Sequence, residues 1–200
     1  EFSKNFMKEH GIPTADFNVF TNYSEAIAYV NNLNTFNHVI KASGLAGGKG
    51  VVLPDTKKEA IYELNSIMVD NKFGSAGETV IIEEKLVGEE VSVFAFCNGN
   101  EAYLMPQAQD YKRIGDNDEG LNTGGMGAVA PVNVLTDEEL IELKGYMDIV
   151  VDELEYIGIL YAGVMKTEDG IYLLEFNCRF GDPEAQVVLN LLDTNFYTRS

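Results

Sequence analysis

The sequence predicts an α+β fold, on the evidence of two patterns. Helix and strand patterns alternate along the first half of the chain, whereas the second half consists mainly of strands joined by short turns. A doubly wound parallel sheet would require alternation throughout the chain, so this mixture favours two α+β subdomains. A length of 200 residues suits either one large domain or two small ones that share a core.

Three helices in the first half are predicted from their capping residues. Ser3, Ser24 and Thr56 can each accept a hydrogen bond from the free amides of a first helical turn, and Glu59 completes a capping box with Thr56. Gly11 is expected to end the first helix. Helices are therefore predicted over residues 3–10, 24–32 and 56–70, and strands over residues 17–20, 38–42, 51–53 and 79–84.

Hairpins dominate the second half. The Asn-Gly pair at 98–99 and the Asp-Gly pair at 169–170 are typical of tight turns between antiparallel strands. Thr136 and Glu139 form a capping box for the longest helix. The predicted elements are strands over residues 90–97, 101–107, 161–166 and 171–177, a polar glycine-rich loop over residues 110–127, and helices over residues 136–157 and from residue 183 onward.

Charge and apolar content limit the classes of function. The formal net charge is −18, whereas a nucleic-acid-binding protein needs a basic face, so nucleic acid is not expected as a partner. No apolar run approaches the roughly 20 residues that a membrane-spanning helix needs, and no secretion signal is visible. These features predict a cytoplasmic protein without a membrane partner. Cys97 and Cys178 have no metal-ligand spacing and are expected to be buried free thiols.

Residues 44–50 form a loop with four glycines, whose backbone amides can approach a ligand closely. Lys49 adds a positive charge, as phosphate recognition often requires. The loop is not a Walker A motif, because Gly50 follows the lysine where serine or threonine is required. Phosphate binding and a merely flexible turn are both compatible with this loop when it is considered alone.

Glu175 and Asn177 are the strongest candidates for metal ligands. They lie two positions apart on a predicted strand, so their side chains point to the same side. A carboxylate and an amide oxygen, completed by water and substrate phosphates, suit Mg²⁺. A strand edge with polar residues facing solvent is the alternative. Directly afterwards, residues 179–184 place an arginine and two acids at the start of a helix, where anions bind readily.

Two further polar segments are ambiguous by themselves. Residues 81–90 lead from an apolar strand through acidic residues into the second half of the chain, a pattern that suits a hinge but also an ordinary solvated surface. Residues 109–127 contain adjacent opposite charges and several glycines. Such a segment suits either a loop that folds over a substrate or a disordered acidic loop.

The order of these segments resembles the ATP-grasp superfamily. Within it, the chain closely resembles the phosphoribosylamine–glycine ligase family in K-A-S-G-L-A-G-G-K-G-V at 41–51, Q-D-Y-K-R at 109–113, N-T-G-G-M-G-A at 122–128 and L-E-F-N-C-R-F-G-D-P-E at 174–184. The last two segments are highly specific, and the likeness covers essentially the whole chain. It implies the ATP-grasp fold, in which two α+β subdomains hold a nucleotide between them.

The resemblance also implies a domain organisation. A lead-in helix at residues 1–12 would precede a lid subdomain at 13–86 and a core subdomain at 87–200. Chains of the family carry a preceding nucleotide-fold domain and a small C-terminal domain in addition. The chain is therefore expected to be part of a larger enzyme, whose flanking domains would be its partners.

The reaction is implied by the same resemblance. ATP would phosphorylate the carboxylate of glycine to glycyl phosphate, with Mg²⁺ or Mn²⁺ as the metal. The amine of 5-phosphoribosylamine would then attack this intermediate, giving glycinamide ribonucleotide, ADP and phosphate in purine biosynthesis. Catalysis would rest on positioning and charge neutralisation, without a covalent intermediate on a side chain.

The resemblance assigns roles to individual residues. The nucleotide would be bound by Lys41, Gly47, Gly48, Lys49, Gly50, Glu83, Glu84, Lys85, Leu86 and Glu90, with Leu86 at the adenine and Glu90 at the ribose. Glu175 and Asn177 would bind the metal, and Asp110, Lys112 and Arg179 would have catalytic roles. The substrates would be bound by Arg113, Asn122, Thr123, Gly124, Gly125, Met126, Gly127, Gly181 and Asp182.

One departure from the wider superfamily affects the metal. Some relatives carry a third acidic ligand on the preceding strand, where this chain has Gly163, so water or phosphate would complete the metal's shell. Two alternatives to the reaction above remain open. One is another ATP-dependent carboxylate–amine ligase of the same fold, and the other is a fragment that binds ATP without turnover.

Overall fold

The computed structural model describes residues 1–44, 46, 50–115 and 122–193, with the side chains of Lys112, Arg113 and Asn122 outside the description. The chain opens with a helix, α1 (Phe2–Glu9). It divides into two compact units, one of Glu1–Asn5 with Ala15–Leu86 and the other of Phe6–Thr14 with the chain from Val87 onward. Helices combined with antiparallel sheets confirm the predicted α+β class.

A four-stranded antiparallel sheet forms the centre of the first unit. The elements are β1 (Phe17–Phe20), α2 (Tyr23–Asn32), β2 (His38–Ala42), β3 (Val51–Val52), α3 (Lys57–Met68) and β4 (Val80–Glu84), with one 3₁₀ turn at Gly74–Gly77. The strands lie in the order β1-β4-β2-β3, so β4 is inserted between strands that precede it in the sequence. The five residues of β2 agree with the predicted strand over 38–42.

The core of the first unit follows from the apolar spacing of these elements. Core residues recur at helical spacing along α2 and α3. Val80 and Ile82 supply alternate positions of β4 to this core, and the intervening Ile81 and the following Glu83 are buried as well. The fully buried members are Ala26, Val30, Ile40, Ala60, Leu64, Ile67, Val80 and Ile82. This packing holds β2 and β4 side by side, and these two strands carry Lys41 and Glu83.

The helix starts of the first unit differ in detail from the prediction. Asn22 caps α2, because its Oδ1 accepts hydrogen bonds from the amides of Ser24 at 2.8 Å and Glu25 at 3.2 Å. The predicted cap, Ser24, therefore lies inside the helix. Thr56 caps α3 as expected, but the Glu59 carboxylate accepts from the amide of residue 55 and does not complete a box with Thr56.

The second unit contains a larger antiparallel sheet and a separate two-stranded ribbon. Its elements are β5 (Glu89–Asn98), β6 (Ala102–Leu104), β7 (Gln109–Arg113), β8 (Asn122–Val129), α4 (Asp137–Leu154), β9 (Ile157–Thr167), β10 (Gly170–Asn177) and α5 (Glu184–Val188). The sheet has the order β10-β9-β5-β6, and β7 pairs with β8. Alternate residues of β5 and β9 pack against α4, where Leu143, Met147 and Val151 are fully buried at a spacing of four.

The ribbon of β7 and β8 corrects the prediction of a loop over residues 110–127. The two strands pair in antiparallel register, with Asp110 opposite Ala128 and Tyr111 opposite Gly127. Residues 116–121, between the strands, lie outside the described residues. A polar, glycine-rich sequence forms two strands here because each supplies the ladder of the other, although such residues have little intrinsic preference for strands.

Element boundaries account for further differences. β6 is shorter than the strand predicted over 101–107, and β9 is longer than the strand predicted over 161–166. α1 begins at Phe2, so Ser3 lies within the helix, whereas Gly11 follows its end with a φ of +68°. Both hydrogen bonds of the predicted box between Thr136 and Glu139 are present at the start of α4, which ends at Leu154, earlier than predicted. Within the described residues, no helix combines the length and apolar character needed to cross a membrane.

Candidate functional site

Two lysines and one glutamate form a buried charged cluster in the first unit. Lys4 lies on α1, Lys41 on β2 and Glu83 on β4. The Glu83 carboxylate contacts both ammonium groups: its Oε2 is 2.7 Å from Lys4 Nζ, and its Oε1 contacts Lys41 Nζ. The exposed fraction of the side chain is 3% for Glu83, 6% for Lys4 and 17% for Lys41. Lys41 is thus the member of the cluster that is most accessible.

Lys4 is a component of this cluster that the sequence analysis missed, because it treated residues 1–12 only as a lead-in helix. Its pKa is lowered mainly because the buried ammonium loses hydration, while the Glu83 carboxylate acts in the opposite direction. Its Nζ also donates to the carbonyl of Ala15 at 3.3 Å and lies 5.2 Å from the ring centre of Phe17. One sequence feature indicates that Lys4 is buried: it lies one turn before Met7, on the apolar side of a short helix.

The segment predicted to contact adenine ends β4 and follows it. Glu83 turns its carboxylate toward the lysines, whereas Glu84 is exposed. The backbone amides of Glu84 and Lys85 donate to carbonyl oxygens within the first unit, at 2.9 and 3.1 Å. Leu86 is half-buried, and Glu90, on β5 of the second unit, is exposed. The roles of these residues toward a nucleotide stay predictions.

The glycine-rich loop is described only at Gly44, Ala46 and Gly50. Gly47, Gly48 and Lys49 lie outside the described residues. The carbonyl of Gly50 accepts a 2.8 Å hydrogen bond from the amide of residue 42, which joins the two ends of the loop between β2 and β3. A Cβ on Gly44 would lie 2.6 Å from the backbone of residue 76, so that end of the loop requires glycine for packing as well as for any ligand.

Glu175 and Asn177 lie together on β10, as predicted. Asn177 Nδ2 donates a 2.9 Å hydrogen bond to Glu175 Oε1, which places the amide and the carboxylate side by side. Gly163 of β9 is the register partner of Glu175, and a Cβ on it would lie 3.4 Å from Glu175 Cγ. Within the described chain, no three His, Cys, Asp or Glu side chains are grouped closely enough to hold a metal. The donor set therefore fits an oxygen-preferring cation that takes further ligands from phosphate and water.

The predicted substrate residues of the ribbon lie beside the start of α5. A Cβ on Gly125, which has a φ of +116°, would lie 2.7 Å from the ring of Pro183 and 3.5 Å from Asp110 Oδ1. Thr123 Oγ1 accepts a 3.1 Å hydrogen bond from the Gly125 amide. Met126 is exposed. Two predicted segments distant in sequence, at 109–128 and 174–184, therefore meet in the second unit.

Five other ribbon residues are described by backbone alone or lack a side chain. Lys112 and Arg113 lie on β7, and Asn122, Gly124 and Gly127 lie on β8. The side chains of Lys112, Arg113 and Asn122 are outside the described residues. Their predicted catalytic and binding roles accordingly stay predictions.

The segment after β10 contains one exposed cation and one buried carboxylate. Arg179 is exposed and donates to the carbonyl of Phe180 at 2.8 Å. Asp182 Oδ1 accepts from Gln186 at 2.8 Å, and Ser92 Oγ donates to the buried Glu184 Oε1 at 3.1 Å. These two acids thus have hydrogen-bond partners other than Arg179.

The backbone of Gly181 passes close to the buried carboxylate of Glu184. A Cβ at position 181 would lie 2.3 Å from Glu184 Oε2 and 2.6 Å from Oε1. Ser92 Oγ lies 3.2 Å from the hydroxyl of Tyr161, so a network of two hydroxyls and one carboxylate supports the loop from beneath. Any side chain at position 181 would therefore displace this carboxylate from its present position.

The two thiols have different environments, which corrects the expectation that both are buried. Cys97 is buried, and burial raises the pKa of its thiol to about 11. Cys178 is exposed and directly follows the pair on β10. Strand alternation did not reveal the difference, because β10 ends at Asn177 and Cys178 no longer belongs to the sheet.

Comparison with known families gives one match over most of the chain. The family model described as phosphoribosylglycinamide synthetase, ATP-grasp (A) domain, matches residues 1–185. The trifunctional purine biosynthetic protein adenosine-3 of Gallus gallus is 49% identical over 98% of this chain, which covers 20% of that protein. The phosphoribosylamine–glycine ligase of Streptococcus pneumoniae serotype 4 is 45% identical over 98% of this chain, which covers 48% of that protein. The chain thus spans at most about half the length of these two relatives.

Solved structures show that the backbone fold is similar as well. The crystal structure of the phosphoribosylamine–glycine ligase of Thermotoga maritima superposes with a TM-score of 0.84 at 38% identity, covering 94% of this chain and 49% of that one. The biotin carboxylase domain of Hydrogenobacter thermophilus 2-oxoglutarate carboxylase, in complex with MgADP, ADP and bicarbonate, gives a TM-score of 0.74 at 18% identity. It covers 96% of this chain and 42% of that chain. At that identity the second likeness shows the fold alone.

Proposed function

The chain belongs to the phosphoribosylglycinamide synthetase ATP-grasp (A) domain family, and from this premise we propose that the protein carrying it joins glycine to 5-phosphoribosylamine at the expense of ATP. The products would be glycinamide ribonucleotide, ADP and phosphate, as the ligase names of the relatives suggest. One structural observation supports the use of ATP most directly. Glu175 and Asn177 present a carboxylate and an amide together, next to a segment that offers Arg179.

Phosphate recognition in this proposal begins with Lys41. Its ammonium is the most accessible member of a cluster that is otherwise buried. The glycine loop that follows β2 would add backbone amides and the charge of Lys49. In a chain whose net charge is −18, such local positive charge is required for any polyphosphate to bind.

Glu175 and Asn177 would hold Mg²⁺ or Mn²⁺. The two protein oxygens leave most positions of an octahedral shell to phosphate and water, which is typical of Mg²⁺ bound with a nucleotide. The bound metal would neutralise phosphate charge during transfer. Because glycine occupies position 163, opposite Glu175, a third protein ligand on β9 is not available at that register position.

The chemistry would proceed in two displacements. An oxygen of the glycine carboxylate attacks the γ-phosphorus of ATP, and ADP leaves, giving glycyl phosphate. The amine of phosphoribosylamine then attacks the acyl carbon, loses a proton, and phosphate leaves. The side chains near the segment after β10, with Asp110, Arg179 and Asp182 among them, would orient the two substrates and offset their negative charge.

The proposal is tested by measuring release of phosphate and formation of the amide product by the protein that carries this chain. We expect phosphate release to require MgATP, glycine and phosphoribosylamine together. Turnover with a different amino acid in place of glycine would support another carboxylate–amine ligase of the same fold. Binding of MgATP without turnover would support a nucleotide-binding protein. Reaction in the cytoplasm, where these soluble substrates occur, is part of the same proposal.

A further inference from the structure

The buried cluster of Lys4, Lys41 and Glu83 has an unequal number of charges. Two ammonium groups contact one carboxylate, so these three side chains together carry a net charge of +1. The Asp16 carboxylate and the Glu1 ammonium, of opposite charge, also act electrostatically on Lys4. Each carboxylate oxygen has its own lysine, with Lys4 on Oε2 and Lys41 on Oε1. Without Lys4, the remaining pair of Lys41 and Glu83 would be neutral.

The exposed fractions of the three side chains show which of them can present the excess charge to a ligand. Lys4 and Glu83 are almost fully buried, with 6% and 3% of the side chain exposed, whereas Lys41 exposes 17%. Buried charges interact more strongly with one another than exposed charges do, because the dielectric constant around them is lower. Lys4 and Lys41 accordingly influence one another electrostatically, and the charge of Lys41 contributes to lowering the pKa of Lys4.

Packing alone does not require a lysine at position 4. A buried ammonium costs free energy unless it is paired, and an apolar side chain of similar length would fill the same space without this cost. Buried ion pairs are therefore weak sources of stability. The contact with Glu83, the bond to Ala15 and the ring of Phe17 instead hold the ammonium of Lys4 in one place.

We propose that Lys4 is a positioning residue for Lys41, because it binds one oxygen of Glu83 and so leaves the cluster with a surplus positive charge for the phosphates of a nucleotide. This inference rests on the proposed function, in which Lys41 binds those phosphates. It assigns α1 a part in nucleotide recognition through electrostatics, without contact between Lys4 and the ligand.

The test replaces Lys4 with an apolar residue of similar length and compares ligands of different charge. Lys4→Met and, as a control one turn along α1, the exposed Lys8→Met are made in the protein that carries this chain. Calorimetry then measures the affinity for MgATP, MgADP and adenosine. We expect Lys4→Met to lower the affinity for MgATP about tenfold and the affinity for adenosine less than about twofold, because one nearby elementary charge is removed. Lys8→Met should change neither affinity, and Lys4→Arg should retain binding of MgATP.

Lys4→Gln separates charge from packing. It removes the charge at position 4, while its amide can still donate to the Glu83 carboxylate and the Ala15 carbonyl. It therefore carries the test if Lys4→Met does not fold, and we expect it to weaken binding of MgATP as much as Lys4→Met does. Equal losses for MgATP and adenosine, or a Lys4→Gln protein that binds MgATP as tightly as the original protein, would overturn the inference.

The controls distinguish failure of this inference from failure of the proposed function. If the original protein does not bind MgATP, the proposed function and the role of Lys4 fail together. If the original protein binds MgATP and Lys4→Met binds it equally well, the role of Lys4 alone is wrong. Thermal unfolding of each variant identifies any loss of binding that comes from loss of structure.

Discussion

The side chain of Asn177 donates a 2.9 Å hydrogen bond to the carboxylate of Glu175, from two positions along the same strand. Because alternate residues of a strand share a face, this contact follows directly from the L-E-F-N sequence at 174–177. The contact places a carboxylate and an amide side by side, and each carries an oxygen that can bind a cation.

Replacing Glu175 with Gln is expected to weaken nucleotide binding in the presence of Mg²⁺ by about tenfold or more, as loss of one metal contact typically does. The side chain keeps its size, so stability should change little. Calorimetry with an ATP analogue, with and without Mg²⁺, measures the effect. Glu168→Gln, in the turn at the far end of the same hairpin, makes the same change of charge and should bind normally. Unchanged affinity in a folded Glu175→Gln protein would remove the metal assignment.

Local patterns predicted most of the fold. The strand over 38–42 is found as predicted, and both helices with a predicted capping box begin at the expected threonine. β7 and β8 were missed because glycine and polar residues have little intrinsic preference for strands, and their ladder arises only when the two segments pair. The pairing partner, and not the local sequence, determines this structure.

In the site, too, local contacts could be predicted from the sequence and long-range contacts could not. Glu175 and Asn177 could be predicted because both lie on one strand. Lys4 could not, because its partner, Glu83, is far away in sequence and neither residue alone indicates the contact. The assignments of Gly47, Gly48 and Lys49 stay predictions, as does the division into a lid at 13–86 and a core at 87–200.

Gly181→Ala is expected to destabilise the second unit by about 1–3 kcal/mol. The new Cβ would lie 2.3 Å from Glu184 Oε2, and this carboxylate is buried and held by Ser92. It must therefore move away from Ser92, and its hydrogen bond is lost. Urea unfolding measures the change in the free energy of unfolding.

Gly145→Ala is the matched control for this substitution. Gly145 lies within α4, and a Cβ there would have no heavy atom within 4 Å. Alanine is expected to stabilise the helix by about 0.5–1 kcal/mol, because glycine loses more backbone freedom on folding. If both glycine variants shift stability in the same direction, the account of position 181 is wrong.

The pair of Glu139 and Lys166 should make stability depend on pH. Lys166 Nζ lies 2.8 Å from Glu139 Oε2, and this hydrogen bond is the main reason why the pKa of Glu139 is lowered from its ordinary value of 4.5. A carboxyl whose pKa is lower in the folded state contributes stability above its unfolded pKa and loses it as the pH falls through the folded value. At pH 7, Glu139→Gln should therefore cost about 0.5–1 kcal/mol, a size typical of a partly exposed pair.

The difference in stability between Glu139→Gln and the original protein should narrow as the pH falls below about 4.5. Denaturant unfolding at a series of pH values measures it. Glu138→Gln makes the same change of charge in the same first turn of α4 and serves as the control. A difference that stays constant with pH would contradict a stabilising role of the ionised Glu139 carboxylate.

Arg179→Lys is expected to lower turnover by about tenfold or more while the KM for MgATP changes less than about threefold, because a fork of donors is replaced by a point charge. Arg179 is exposed and directly follows the strand of Glu175 and Asn177, where two negatively charged groups must approach each other in the proposed reaction. A planar guanidinium can bind both oxygens of a carboxylate or phosphate, and a lysine cannot. Steady-state kinetics with glycine and phosphoribosylamine, together with thermal unfolding, give the result. A purely structural arginine would instead lower the melting temperature and leave turnover per folded molecule near normal, and that outcome would exclude Arg179 from the site.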